Sequence, residues 1–350
     1  IPVTPGMKEW QVTVPAMKAG TTPYTLKVSF TIDGELAHER VAEGIVFGDV
    51  WYVGAPGLEH NKSFKMPEVK ESGKIVRMIE RQAKRASFTS PSRFSVCVST
   101  YPGNRYACRW KDAYGLAAVL GHQLAAKSGN PVGVILMQSS VGRGATNPKL
   151  KSWVGPEFLK ETPSLISDYK IIGAQVPRNP YYIDNVRRYL DDWKVYWGEY
   201  IPEMIATKAV PDGIKWGTYP SMTPSEETTA TRTYNVLVES FEATALKGVV
   251  FITADTMVAG EQAKTFGPEM SVLANSFKAK FASRPASTSS GQAGSGQGGD
   301  DVPFIYSMPT KAVAPSVTAP KGIAGESIAV EVADWKDATA VIEAAVKAAR

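Results

Sequence analysis

Acyl transfer at neutral pH needs a nucleophile, a base within reach of it, and hydrogen-bond donors for the developing oxyanion. This chain offers few groups of the second kind: its three histidines are His38, His60 and His122. Only His60 follows an apolar strand that ends in a Gly/Pro turn, since Ile45 to Val53 runs into Gly54-Ala55-Pro56-Gly57-Leu58-Glu59-His60. That is how an α/β fold presents chemistry at the carboxyl end of a strand, so Glu59 and His60 are candidate cleft residues. A second such passage leads from Val132-Met137 into Gln138-Ser139-Ser140-Val141-Gly142-Arg143-Gly144. Its hydroxyl pair lacks the tight glycine-flanked elbow that exposes a serine nucleophile. Capping of the next turn accounts for it, and a pairing of Ser139 or Ser140 with His60 is the catalytic alternative. Asp255 and Asp334 follow two further apolar runs. His38 reads as a surface residue and His122 as a helix residue. A metal site needs more ligands than these histidines and two cysteines supply, and no cofactor is implied.

The elements that must position these groups read as α/β. Residues 3–47 alternate like strands, with Trp10-Val14, Tyr24-Ile32, an Asp33-Gly34 turn and Ala42-Val50. The basic segment Ile75-Ala86, with Arg77, Arg81, Lys84 and Arg85, reads as a solvated loop or helix face, or alternatively as a grip for an anionic glycan. Phe94-Val98 reads as a strand. Lys111-Ala126 reads as a helix with Tyr114, Leu116, Leu120 and Leu124 on one face, ended by Gly129-Asn130-Pro131, and Val132-Met137 as a buried parallel strand. Helix is expected over Thr233-Phe241, Gln262-Ala282 and Ala338-Ala349, and strand over Leu246-Ile252, Val302-Tyr306 and Ser327-Val332. Between them lie an aromatic insertion over 163–220 and a Ser/Gly tract over 283–300 that cannot pack a core. In the insertion Tyr189, Trp193, Tyr196, Trp197 and Tyr200 follow helical spacing. Packing against the main domain and a partner surface are both open to such a face. The expected division is a β-rich lead-in over 1–44 and an α/β domain over 45–350, a three-layer sandwich around a parallel sheet.

Taken together, these motifs resemble the sialate O-acetylesterase family of carbohydrate esterases, in the SGNH-hydrolase superfamily. Trp10-Gln11-Val12-Thr13-Val14-Pro15 and Pro23-Tyr24-Thr25-Leu26 are similar to the family's small β-domain, and Gly48-Asp49-Val50-Trp51 to its nucleophile strand. Pro131-Val132-Gly133-Val134-Ile135, Trp153, Tyr234-Asn235 and Lys247-Gly248-Val249 match further segments. The resemblance implies an SGNH, flavodoxin-like fold with a partial β-domain, either incomplete or completed by another chain. It also implies where the chemistry has gone. Gly57 stands at the family's serine, Met257 at the asparagine that donates to the oxyanion, and no histidine accompanies Asp334 in Ala333-Asp334-Trp335-Lys336-Asp337. Gly142 keeps the backbone donor, but Arg143 replaces a second glycine and narrows the pocket. A thioether donates no hydrogen bond, and one lost donor costs about 3–4 kcal/mol of transition-state stabilisation. Asp255, facing the same pocket, would repel a developing oxyanion. The expectation is a catalytically inactive esterase-like protein used for binding or assembly, with glycan, another protein chain or copies of itself as partner. A carbohydrate O-acetylesterase with relocated residues is the alternative.

Composition bounds this reading. The chain has 350 residues, a net charge of +5 and interleaved acids and bases, which gives little reason to expect nucleic acid. No apolar run reaches the roughly 20 residues that span a bilayer. The sequence starts at Ile1 and is expected to be a processed, extracytoplasmic product. Cys97 and Cys108 flank a Pro-Gly turn; a disulfide closing that short loop would contribute about 2–3 kcal/mol in an oxidising compartment, and two buried thiols are the other reading.

Overall fold

The computed structural model describes residues 17–56, 65–81, 110–138, 148–174, 179–210, 230–241, 244–282 and 302–349. The chain begins there with a long antiparallel hairpin, β1 (Gly20–Ile32) and β2 (Glu35–Phe47). Asp33 and Gly34 turn it with φ of 51° and 86°, both in the left-handed region that the paired-positive hairpin turn requires. At Gly48 the backbone changes partner. Phe47 still faces Gly20 of β1, whereas Asp49 opens β3 (Asp49–Gly54) and faces Val132. A Cβ on Gly48 would lie 2.1 Å from the Pro131 carbonyl oxygen, so only glycine lets the chain pass. The expected strand from Ile45 is corrected accordingly: Ile45–Phe47 close the hairpin, and the central strand starts at Asp49.

The main sheet adds β4 (Val76–Arg81), β5 (Lys111–Asp112), β6 (Val132–Met137), β7 (Gly248–Phe251), β8 (Phe304–Pro309) and β9 (Ser327–Val332) in the order β5-β4-β6-β3-β7-β8-β9. All neighbours run parallel except the short edge pair β4 and β5. With that edge set aside, the order β6-β3-β7-β8-β9 is the doubly wound arrangement with chain order 2-1-3-4-5. Helix α1 (Gly115–Ser128) links β4 and β5 to β6, ending at Gly129 with φ 73° as its composition predicts. The basic segment is thus corrected from loop or helix to strand over its first half. Val76 and Met78 are buried on the face that meets α1, and two apolar anchors two apart override the charge of Arg77 between them. Tyr114 is also corrected: it caps α1 in an extended conformation and is exposed, while Leu116, Leu120 and Leu124 are buried.

Strand alternation splits the core in two. Trp51, Val53, Val132, Val134 and Leu136 face α1 and α6 (Thr339–Ala348). Tyr52, Ile135, Met137, Phe251 and Phe304 face the opposite layer. That layer holds the turns over 150–165, α2 (Ile166–Gly173), the π and 3-10 turns over 234–241, and α5 (Gln262–Ala282). On α5 the predicted Phe266, Met270, Leu273, Phe277 and Phe281 are all buried. This is the expected three-layer α/β sandwich with a mostly parallel sheet. The aromatic region differs from its expected bounds, because Leu165 and Ile172 pack into the core. What projects is α3 (Pro180–Val195), one π turn (Tyr196–Tyr200) and α4 (Ile201–Thr207). Trp10–Val14, Phe94–Val98 and the 283–300 tract lie outside the described residues.

Candidate functional site: the carboxyl edge of the sheet

In a doubly wound sheet the crevice for ligands lies beyond the carboxyl ends of the strands, where chain order reverses. Here that point is β3, flanked by β6 and β7. Its end is tied to both neighbours: Ala55 N donates to Met137 O at 2.8 Å, and Ile252 N donates to Gly54 O at 2.7 Å. Gly54 makes room for rings, since a Cβ there would meet Phe251 at 2.8 Å and Trp153 at 3.5 Å. Those two rings pack edge to face with centroids 5.4 Å apart, and Trp153 is fully buried. Gly54, Phe251 and Trp153 thus belong to buried aromatic core at the end of β3.

Beyond β7 the chain is locked to β8. Thr253 N donates to Ser307 Oγ and Thr253 Oγ1 donates to Ser307 O, both at 2.7 Å and both buried. A 3-10 turn follows, in which Met257 N donates to Ala254 O at 3.0 Å and the Met257 side chain is buried in the α5-side core. Met257 fills apolar space. Asp255 is exposed and its Oδ1 accepts from Thr256 N at 2.7 Å, so it caps its own turn. Thr256 Oγ1 donates to Pro148 O at 3.1 Å.

After β9, Asp334 lies at the surface. Its Oδ2 meets Lys65 Nζ at 3.2 Å, and its Oδ1 accepts from Lys336 N at 3.0 Å. The Lys336 N–H and the Lys65 ammonium hold the Asp334 carboxyl below its ordinary range. Asp337 Oδ1 accepts from Thr339 N at 2.9 Å at the start of α6, and that pairing depresses its carboxyl likewise. Lys65 also bonds this loop through its backbone, with Lys65 N donating to Lys336 O and Ala338 N donating to Lys65 O. Asp334 ties this loop to Lys65, while Asp337 satisfies an N–H of the first turn of α6.

Gly57, Glu59, His60, Ser139, Ser140, Gly142, Arg143, Cys97 and Cys108 lie outside the described residues. Of the expected site residues, Met257, Asp255 and Asp334 are placed at the carboxyl edge, in three separate roles. Among the described residues no group of three metal-ligating side chains is assembled, and no helix is long and apolar enough to cross a membrane.

No family model and no curated protein sequence matches this chain. Among solved structures it is similar to a carbohydrate acetylesterase from Xanthomonas citri, with a TM-score of 0.42 and 13% identity. The match covers 85% of this chain and 48% of that protein, so this chain spans about half its length. A likeness at this level assigns no activity.

Two groupings have no counterpart in the sequence reading. His122, on α1, receives Ser72 Oγ at 3.0 Å and Ser72 N at 3.3 Å on its Nδ1, and its Nε2 lies 3.2 Å from Glu71 Oε2. With Ser72 N donating, Nδ1 is the acceptor and Nε2 carries the proton toward the carboxylate. This is a serine, histidine and carboxylate in hydrogen-bond sequence, but it precedes β4 at the opposite, amino-terminal edge. Ser72 Oγ also accepts from Lys74 N at 3.3 Å, so the arrangement pins a loop to α1. A separation of fifty positions between Ser72 and His122 leaves no local signal to find it by. The second grouping joins α5 to the turns over 150–165. Lys151 Nζ reaches both Asp168 oxygens at 3.0 Å, and Lys149 Nζ donates to Gln262 Oε1 at 2.7 Å. Glu269, buried beside them, has its carboxyl pushed up by burial, against the hydroxyls of Thr265 and Ser164 and the charge of Lys151.

Proposed function

We propose that this chain is a non-catalytic protein of SGNH-like build that works outside the cytoplasm by binding or assembly, with a glycan, another protein chain or its own copies as partner. One observation carries the reading: at the carboxyl edge, the position aligned with an oxyanion donor holds a thioether packed in the core, and the position aligned with the base-orienting aspartate serves a surface tie to Lys65. A thioether donates nothing to an oxyanion, and no histidine accompanies Asp334 in the sequence for its carboxylate to orient. The projecting α3 supports the binding half of the proposal. Trp193 and Trp197 stack at 5.9 Å with an interplanar angle of 12°, and Trp197 is 59% exposed, an amphipathic ring platform open to solvent. The test is incubation with p-nitrophenyl acetate and acetylated xylo-oligosaccharides. Release of acetate at the buffer rate is expected; release above it that a single serine substitution abolishes overturns the reading.

A second reading, a carbohydrate O-acetylesterase with relocated residues, draws on the Ser72, His122 and Glu71 alignment. In it the Ser72 hydroxyl proton would pass to His122 Nδ1 as Oγ attacks the acetyl carbon and the sugar oxygen leaves with a proton. A fluorophosphonate probe that labels Ser72, and fails to label a Ser72→Ala variant, would establish this reading against the first.

A further inference from the structure

A further opening lies at the other end of the sheet from the edge just described. A cleft of about 840 Å³ separates the base of the hairpin from the amino ends of β4, β6 and β3, within the size range of small-molecule sites, roughly 300–1,000 Å³. Its floor is a row in register across three strands: Arg77, Gly133 and Val50. Its far wall is β2 from Val41 to Phe47.

Two glycines shape it. Gly44, with φ 68°, sits where the hairpin register slips between the Tyr24–Ile45 and Leu26–Ala42 pairs, a bulge that bends the ribbon. Arg77 fixes that bend by donating from Nη1 to Gly44 O at 2.6 Å. Gly133 leaves a gap in the floor, and the six-membered ring of Trp110 settles over it, so that a Cβ on Gly133 would fall 2.7 Å from the indole. Trp110 nevertheless stays 41% exposed. An indole seated by one edge on backbone, with its surface open to a cleft, is a stacking platform with little rotamer freedom left to lose.

The polar groups around it define the ligand. Arg77 has N–H donors beyond the one given to Gly44, and Glu43 on the wall supplies acceptors. The lining carries one cation against two carboxylates, Glu43 and Asp49, which disfavours a phosphate or another anion and suits hydroxyls that both donate and accept. Asp49, buried at the base, accepts from Asn130 Nδ2 at 3.2 Å and is already engaged. We infer that this cleft is a binding site for a neutral saccharide of one or two rings, stacked on Trp110 and hydrogen-bonded by Arg77 and Glu43.

Saturation-transfer NMR on the full chain with cellobiose, xylobiose, mannobiose and N,N′-diacetylchitobiose is the test. Transfer is expected to the axial ring protons of at least one of these, followed by titration of that sugar. Trp110→Ala should weaken its affinity by at least about ten-fold with an unchanged melting temperature, and Trp110→Tyr should restore most of it. Trp197→Ala, on the distant aromatic arm, should leave it unaltered. Absence of transfer from all four sugars, an affinity that Trp110→Ala leaves unchanged, or an affinity that Trp197→Ala abolishes, overturns the inference. These outcomes are independent of whether the protein hydrolyses esters.

Discussion

Gly248 shows how tightly single positions constrain this sheet. A Cβ there would lie 2.2 Å from the Trp51 ring, and Trp51 is itself buried against α1 and α6. Gly248→Ala is expected to destabilise the protein by about 1–3 kcal/mol through overpacking, read as a lower urea midpoint at constant slope. Glu269 gives a prediction in pH. Burial holds its carboxyl above the ordinary range, so the folded state binds that proton more tightly than the unfolded chain. Stability therefore falls as pH rises from the ordinary glutamate range to the raised folded value, and the penalty is complete above it. Glu269→Gln should be more stable than the parent at neutral pH, with the difference shrinking on acidification; a difference that grows toward acid would contradict the assignment. The place of Met257 just beyond a strand was legible in the sequence, because the strand was legible. Its packing into the core was not, since nothing local distinguishes a methionine that fills a pocket from one that fills a core. Met257→Asn should destabilise, by burying an amide that the core cannot satisfy, without producing esterase turnover.

At the scale of elements, apolar runs bounded by turn residues were read well. Ser327–Val332 and Val132–Met137 are strands over the expected residues, and α5 spans Gln262–Ala282 as expected. Errors came where one signal hid another. The apolar run Ile45–Val53 continues across Gly48, so the change of partner there depends on the approach of Pro131, a contact that only the fold creates. In β4 the charges of Arg77 and Arg81 masked the buried Val76 and Met78. The hairpin carries its own consequence. Leu26, Phe30 and Ile32 are exposed along β1, and a two-stranded ribbon without a covered face is marginal in water. Amide hydrogen exchange should be much faster over 24–42 than over β3 and β6, which lie side by side in the interior of the main sheet. Equal protection of ribbon and centre would show that the ribbon's apolar row is covered in solution.

For the molecule as a whole, the sheet and both its helical layers were foreseeable from patterning. The side-chain groupings were less so, because they join distant positions: Ser72 to His122, Trp110 to Gly133, and Lys65 to Asp334. None of these pairs is adjacent in sequence, and each arises only once strand order is set. On the aromatic arm, as on the hairpin, several large apolar side chains reach solvent, including Ile183, Leu190, Trp197 and Ile205. If assembly is the role, sedimentation velocity should show concentration-dependent association that Trp197→Asp abolishes while the melting temperature holds. A monomer at all concentrations would leave the arm to a different partner.

Gly48 also has a mechanical meaning. The hairpin hands over to the innermost strand through a single residue, without a linker to absorb slack. Tension applied at the Asp33-Gly34 tip would travel along β2 into the middle of the sheet, where β3 is clamped lengthwise between β6 and β7. Such a pull must shear both parallel ladders together, so anything that seizes the ribbon is fastened to the most resistant part of the protein.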